Sequence, residues 1–114
     1  DTLSLHDALP ISETYTDQTL ALASIFKALG HPARIAILQY ISAQTTCICG
    51  DIVAELPLSQ ASISRHLQEL KAAGLIKGEI SGTSVCYCIN GTQFPFLDMF
   101  IKQIQVTNTT TCCP

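Results

Sequence analysis

The stretch Thr46-Cys47-Ile48-Cys49-Gly50-Asp51-Ile52-Val53-Ala54-Glu55-Leu56-Pro57-Leu58-Ser59-Gln60-Ala61-Ser62-Ile63-Ser64-Arg65-His66-Leu67 decides the fold. It reads as a short helix, a tight turn and a second helix. The short helix is expected over about Cys49 to Leu56, because Pro57 steers the residue before it out of the helical region. Ser59 is a good N-cap for the second helix. Ile63, Leu67 and Leu70 recur at i, i+4 and i+7 as its buried stripe, and Gly74 closes it. With that stripe inward, Gln60, Ser62, Ser64 and Arg65 surround the exposed side near the N-terminal end. Gln and Arg can pair bidentately with adenine and guanine, and Ser with base edges or phosphate.

Upstream, a helix is expected from about Asp17 to Leu29, with Leu22, Ile25, Phe26 and Leu29 at three- and four-residue steps. Gly30 stops it, and Pro32 opens the next helix where its missing N–H costs nothing. That helix runs to about Ala43 with Ile35, Leu38 and Ile41 inward, and Gln44-Thr45-Thr46 is a polar break. Downstream, Ile76–Ser81 and Ser84–Ile89 read as a hairpin around Gly82. Val85, Tyr87 and Ile89 are expected inward, which puts Cys86 and Cys88 on the other face. Phe96, Leu97, Phe100, Ile101 and Ile104 mark a last amphipathic helix.

Four helices, a two-stranded wing and a C-terminal helix make a mainly α chain with a small β-hairpin, the order of a winged helix-turn-helix. A length of 114 residues fits one such domain. Residues 13–106 form the expected DNA-binding and dimerisation domain, and 107–114 a flexible cysteine-containing tail. Residues 1–12 do not fit the pattern. They resemble the translated read-through of a sequencing adapter, or else a disordered arm, and carry no part of the functional reading.

Phe26-Lys27-Ala28-Leu29-Gly30-His31-Pro32-Ala33-Arg34-Ile35-Ala36-Ile37-Leu38 resembles the opening motif of the arsenical-resistance repressor (ArsR/SmtB) family. Leu58 to Leu67 resembles that family's recognition helix, and Ala73-Gly74-Leu75-Ile76 with the hairpin resembles its wing. The resemblance covers about Leu20 to Ile104. It implies a dimer built by the first and last helices, and an inverted-repeat operator. Ser59, Gln60, Ser62, Ser64, Arg65 and His66 are then the candidate DNA contacts, with His66, like Lys71, a backbone contact or a support. For a helix taken alone, a solvated polar face on a core helix would be the simpler reading. The net charge of −3 argues mildly against nucleic acid, but Ser59 to Gly78 carries Arg65, Lys71 and Lys77 against Glu69, a local balance of +2. His31 and Arg34 are explained by capping or a surface contact.

The six cysteines form three close pairs: Cys47/Cys49, Cys86/Cys88 and Cys112/Cys113. No basic-then-apolar leader and no bilayer-length apolar run is present, so a cytoplasmic protein without a disulfide framework is expected. None of the pairs is a Cys-x-x-Cys, which removes the zinc knuckle and the thioredoxin motif. Cys47-Ile48-Cys49 sits where the resemblance puts the Cys-x-Cys of arsenic- and cadmium-responsive members, at a helix start that would favour thiolate. Arsenic-responsive members with a third cysteine in this helix carry it where this chain has Ile52. The tail pair Cys112/Cys113 is therefore the candidate source of a further ligand, unless two thiolates suffice for a monosubstituted organoarsenical. Cys86 and Cys88 lie on one face of a wing strand and could chelate too, but are more simply small strand residues. The last helix offers Asp98 and no His, which argues against zinc or nickel sensing there.

The resulting expectation is a dimeric repressor released from operator DNA when As(III) or Sb(III) binds cysteine thiolates. A thiol-redox or Cd/Pb-responsive repressor of the same fold is the alternative, and a protein-interaction module without DNA binding a reading of another class. Nothing resembles an enzyme's catalytic constellation or a phosphate-binding glycine loop.

Overall fold

A computed structural model of the chain describes residues 14–49, 56–82 and 84–106. Its helices are α1 (Asp17–Leu29), α2 (Pro32–Ser42), α3 (Gln60–Ala72) and α4 (Phe94–Val106). Strands β1 (Ile48–Cys49), β2 (Ile76–Ser81) and β3 (Ser84–Ile89) form one antiparallel sheet in the order β1-β3-β2. This is the expected winged helix-turn-helix, mainly α with a small wing, with one strand more than the hairpin.

The first three helices begin where local chemistry allows. Thr16 caps α1, its hydroxyl accepting from the Thr19 amide at 3.1 Å. His31 caps α2 through Nδ1, which accepts from Ala33 N at 3.0 Å, with Pro32 in the first turn. Ser59 caps α3, its Oγ accepting from Ser62 N at 3.2 Å. At the far end of α3, Gly74 adopts φ +79° and Leu75 N donates to Leu70 O at 3.0 Å. A Cβ on Gly74 would lie 3.1 Å from Gln93 Nε2. Gly74→Ala therefore meets both left-handed strain and crowding, and is expected to lower the unfolding free energy by about 1–2 kcal/mol. Urea denaturation checks this; an unchanged midpoint would contradict it.

The core joins Ile25 and Ala28 of α1, Ile37 and Ile41 of α2, Ile63, Leu67 and Leu70 of α3, and Leu75 and Ile76 at the start of the wing. The α3 stripe is buried as expected. On α2 the inward face is rotated from the expectation: Ile37 is fully buried and Leu38 half-buried, while Ile35 is exposed. At 100° per residue, Ile35 lies nearly opposite Ile37, so only one of the two can face the core. Phe26 is likewise exposed in part, its ring edge-on to Phe100 of α4 at 5.7 Å.

The short helix expected over Cys49 to Leu56 needs correction at its ends. Cys49 belongs to β1, and Leu56 is not helical. Its interior, and the tail cysteines Cys112 and Cys113, lie outside the described residues. The pairing explains the change: Ile48 stands opposite Tyr87 and Cys49 opposite Cys86. This ladder satisfies backbone groups that a helix start would have left open.

In β3 the alternation holds, but burial differs from expectation. Tyr87 and Ile89 pack against the core, and Val85 is exposed. Cys86 and Cys88, on the opposite face, are buried as well, covered by the cysteines of β1. No single helix among the described residues is long and apolar enough to cross a membrane.

Candidate nucleic-acid interface and thiol cluster

Two sites emerge, one on α3 and one on the sheet. The first is the outer face of α3. Gln60, Ser64 and Arg65 are exposed, as is the cap Ser59; Ser62 is half-buried. Gln60 and Ser64 are four residues apart and Arg65 follows, so three polar side chains share one solvent-facing side of the helix's first two turns. The N–H groups of that first turn make it a ready site for a phosphate.

His66 departs from this group. Its side chain is 8% exposed and turned inward, away from any groove-facing surface. Nδ1 accepts from Arg34 Nε at 3.1 Å, and the ring lies 4.5 Å from that of His31. Arg34 Nη1 also reaches the carbonyls of Lys27 and Ala28, both at 3.4 Å. The Arg34 guanidinium thus ties the C-terminal end of α1 to α3. His66 is therefore not on the solvent-facing side with Gln60, Ser64 and Arg65, and its buried ring holds Arg34 instead. His31 and Arg34 belong to the same support, which short-range sequence signals could not reveal across 32 residues.

Burial holds the His66 imidazole below its ordinary pKa of 6.5, helped by its neighbours His31, Arg34 and Arg65 and opposed by Glu69. The sign follows from linkage. The unfolded chain takes up a proton on this histidine as pH falls through 6.5, while the folded chain resists until a lower pH. Stability contributed by neutral His66 is therefore present above pH 6.5 and lost below it. Thermal unfolding from pH 7.5 to 5.5 should show a falling Tm, and His66→Asn, which keeps an acceptor for Arg34, should flatten that slope. An identical slope in the variant would place the pH dependence elsewhere.

The second site is the thiol cluster. Cys47 is joined to Cys88 and Cys49 to Cys86 by disulfides, with Cα separations of 4.6 and 4.0 Å. Directly opposed residues in the closer kind of antiparallel pair have this spacing. Residues two apart on an extended strand share a face, so all four sulfurs lie on one side of the sheet. This corrects two expectations, the absence of disulfides and the reading of Cys86 and Cys88 as bystanders. It also replaces the helix-start argument for Cys47 and Cys49, since a strand aligns them without an irregular turn. The signal for the missed pair was present: two Cys-x-Cys runs of equal spacing are complementary if their strands are antiparallel.

Beside the cluster, Cys88 Sγ lies 3.9 Å from Glu79 Oε1. The ligand atoms of Cys47, Glu79 and Cys88 all fall within 4.8 Å of one another. On α4, Asp98 is paired with Lys102 at 2.9 Å.

A family profile described as a helix-turn-helix domain matches residues 29–79. An HTH-type transcriptional regulator of Methanocaldococcus jannaschii is 43% identical over 68 residues, covering 59% of this chain and 75% of that protein. The arsenical resistance operon repressor of Staphylococcus xylosus is 30% identical, covering 77% and 81%. Against SmtB repressors the chain spans about half of their length. Among solved structures, an ArsR-like transcriptional regulator from Rhodococcus superposes with a TM-score of 0.65 at 27% identity, covering 76% of this chain and 81% of that one.

Proposed function

From the premise that this chain belongs to the ArsR/SmtB family of winged helix-turn-helix transcriptional regulators, and is not an enzyme, we propose that it is a homodimeric repressor released from its operator when As(III) or Sb(III) binds Cys47 and Cys49. The observation that carries the proposal is the Cys-x-Cys strand β1 paired with the wing strand β3, in a chain whose helix α3 presents an exposed polar face.

In this account α3 enters the major groove. Arg65 pairs with guanine and Gln60 with adenine, while Ser59, Ser62 and Ser64 contact base edges or phosphate. The dimer brings two such helices to an inverted repeat. Its support is the apolar surface left open on α4, where Met99 is 69% and Ile104 59% exposed. A groove of about 550 Å³ between α1 and α4, lined by Leu22, Phe96, Met99 and Phe100, continues that surface. Soft thiolates without imidazole favour As(III) and Sb(III) over harder ions. Cys112 and Cys113 remain candidate further ligands, reaching from beyond α4. Binding at β1 biases a strand that is hydrogen-bonded to the wing and leads toward α3, which is the coupling that lowers DNA affinity.

Fluorescence anisotropy on operator DNA, with reduced protein titrated by As(III), Sb(III), Cd(II), Pb(II) and Zn(II), tests this reading. Release by the trivalent ions at the lowest concentrations is expected. Release by Cd(II) or Pb(II) first would favour the site that adds the Glu79 carboxylate. A second reading has a specific observation behind it: the two cross-strand disulfides. A repressor switched by oxidation of these thiols would leave DNA under peroxide without any metal and return under a thiol reductant.

A further inference from the structure

We infer that Cys86 and Cys88 are ligands of the sensing site, so that Cys47 with Cys88 and Cys49 with Cys86 form two cross-strand dithiols, each spaced to chelate one trivalent arsenic or antimony centre. This rests on the metalloid-responsive reading and changes its ligand set. Along a strand, Cys47 and Cys49 have Cα atoms roughly 6.6 Å apart, near the outer limit at which two cysteines can be bridged. Across the ladder the separations are 4.6 and 4.0 Å. The opposed pairs, not the adjacent ones in sequence, are the natural chelates.

The surroundings suit such a ligand. Cys86 and Cys88 are 7% and 8% exposed, which shields the sulfur bonds from water, while Cys47 and Cys49 are open to solvent and give access. A cleft of about 450 Å³ borders the first pair, lined by Ile41, Gln44, Thr45, Thr46, Cys47 and Cys88. It leaves room for the third substituent of a trivalent arsenical.

The disulfides are the oxidised form of the site. A thiol or phosphine reductant opens each with two electrons and two protons, giving two thiols. Each thiol pair then condenses with a trivalent arsenic that carries hydroxo groups, or with an organoarsenic oxide. Two As–S bonds form, the As–O bonds they replace break, and the thiol protons leave with that oxygen as water. Arsenic stays trivalent and keeps its third group. Chelation ties β1 to the wing strand β3, so ligand binding acts on the wing and on the path toward α3 together.

The test uses the reduced full chain carrying Cys112→Ala/Cys113→Ala, with phenylarsine oxide as probe and intact-mass spectrometry as readout. Two adducts are expected. The matched variant Cys47→Ala/Cys88→Ala should keep one. The crossed variant Cys47→Ala/Cys86→Ala removes one cysteine from each strand at a similar packing cost, leaves Cys49 diagonal to Cys88, and should keep none. Cys86→Ala/Cys88→Ala should also keep none, and should lose operator release by arsenite. An adduct retained by that variant, or equal binding by the crossed and matched variants, overturns the inference. If Cys86→Ala/Cys88→Ala keeps both adduct and release while Cys47→Ser/Cys49→Ser loses release, only the wing ligands are wrong. Normal release from Cys47→Ser/Cys49→Ser would instead sink the metalloid reading itself.

Discussion

Replacing Arg65 by Ala is expected to weaken operator binding by about 1–3 kcal/mol, roughly five- to 150-fold, and to relax the preference at one base pair. The magnitude follows from placement. Arg65 is exposed on the first two turns of α3, beside Gln60 and Ser64, on the side away from Ile63 and Leu67. A guanidinium there can make a bidentate bond to guanine that no smaller side chain replaces. The variant's fold should survive, because no core contact is removed. Competition binding with operators substituted at single positions separates base reading from charge. A uniform loss across all sequences, with a shallower salt slope, would make Arg65 a phosphate contact instead. The buried neighbour His66 offers the contrast: its loss should act through the position of α3, and so on stability and affinity together.

The second large effect concerns the cysteines as cross-links. Bridging Cys47 to Cys88 closes a loop across a sequence separation of 41 residues. Removing that loop's freedom from the unfolded chain stabilises by about 2–4 kcal/mol. The neighbouring Cys49–Cys86 bridge adds less, because the first has already brought the strands together. Against the roughly 5–15 kcal/mol of a typical domain, this is a large share. The oxidised chain should therefore resist urea markedly more than the reduced chain. In Cys47→Ala/Cys88→Ala most of the effect should persist, since the remaining bridge closes a loop of similar length. Coincident urea midpoints with and without reductant would show that the bridges do not form.

The reading helix was legible in the sequence for a physical reason. Ile63, Leu67 and Leu70 repeat at helical spacing, Ser59 and Gly74 supply start and stop, and all of this lies within sixteen residues. The hairpin was legible too, from alternation around Gly82. What escaped was long-range. β1 has two residues, too short for any periodicity, and is recognisable only by its partner in β3, 37 to 41 residues away. The family resemblance pointed to a helix start at Cys49, and the ladder to Cys86 displaced it. The inward face of α2 was misjudged because Ile35, Ile37, Leu38 and Ile41 are all apolar, so apolarity could not choose between Ile35 and Ile37. His66 resembled its exposed neighbours on α3; only Arg34, arriving from α2, reveals it as interior support. Cys86 and Cys88 belonged to the strand that was read correctly, yet their role depends on the one that was not.

The central claim, that Cys47 and Cys49 are the thiols through which a metalloid releases DNA, is tested most directly by one comparison. Reduced wild-type and Cys47→Ser/Cys49→Ser proteins are bound to labelled operator DNA and titrated with arsenite while anisotropy is followed. The account predicts equal operator affinity without arsenite, release from the wild type, and no release from the variant. Release of both proteins at the same arsenite concentration would contradict it.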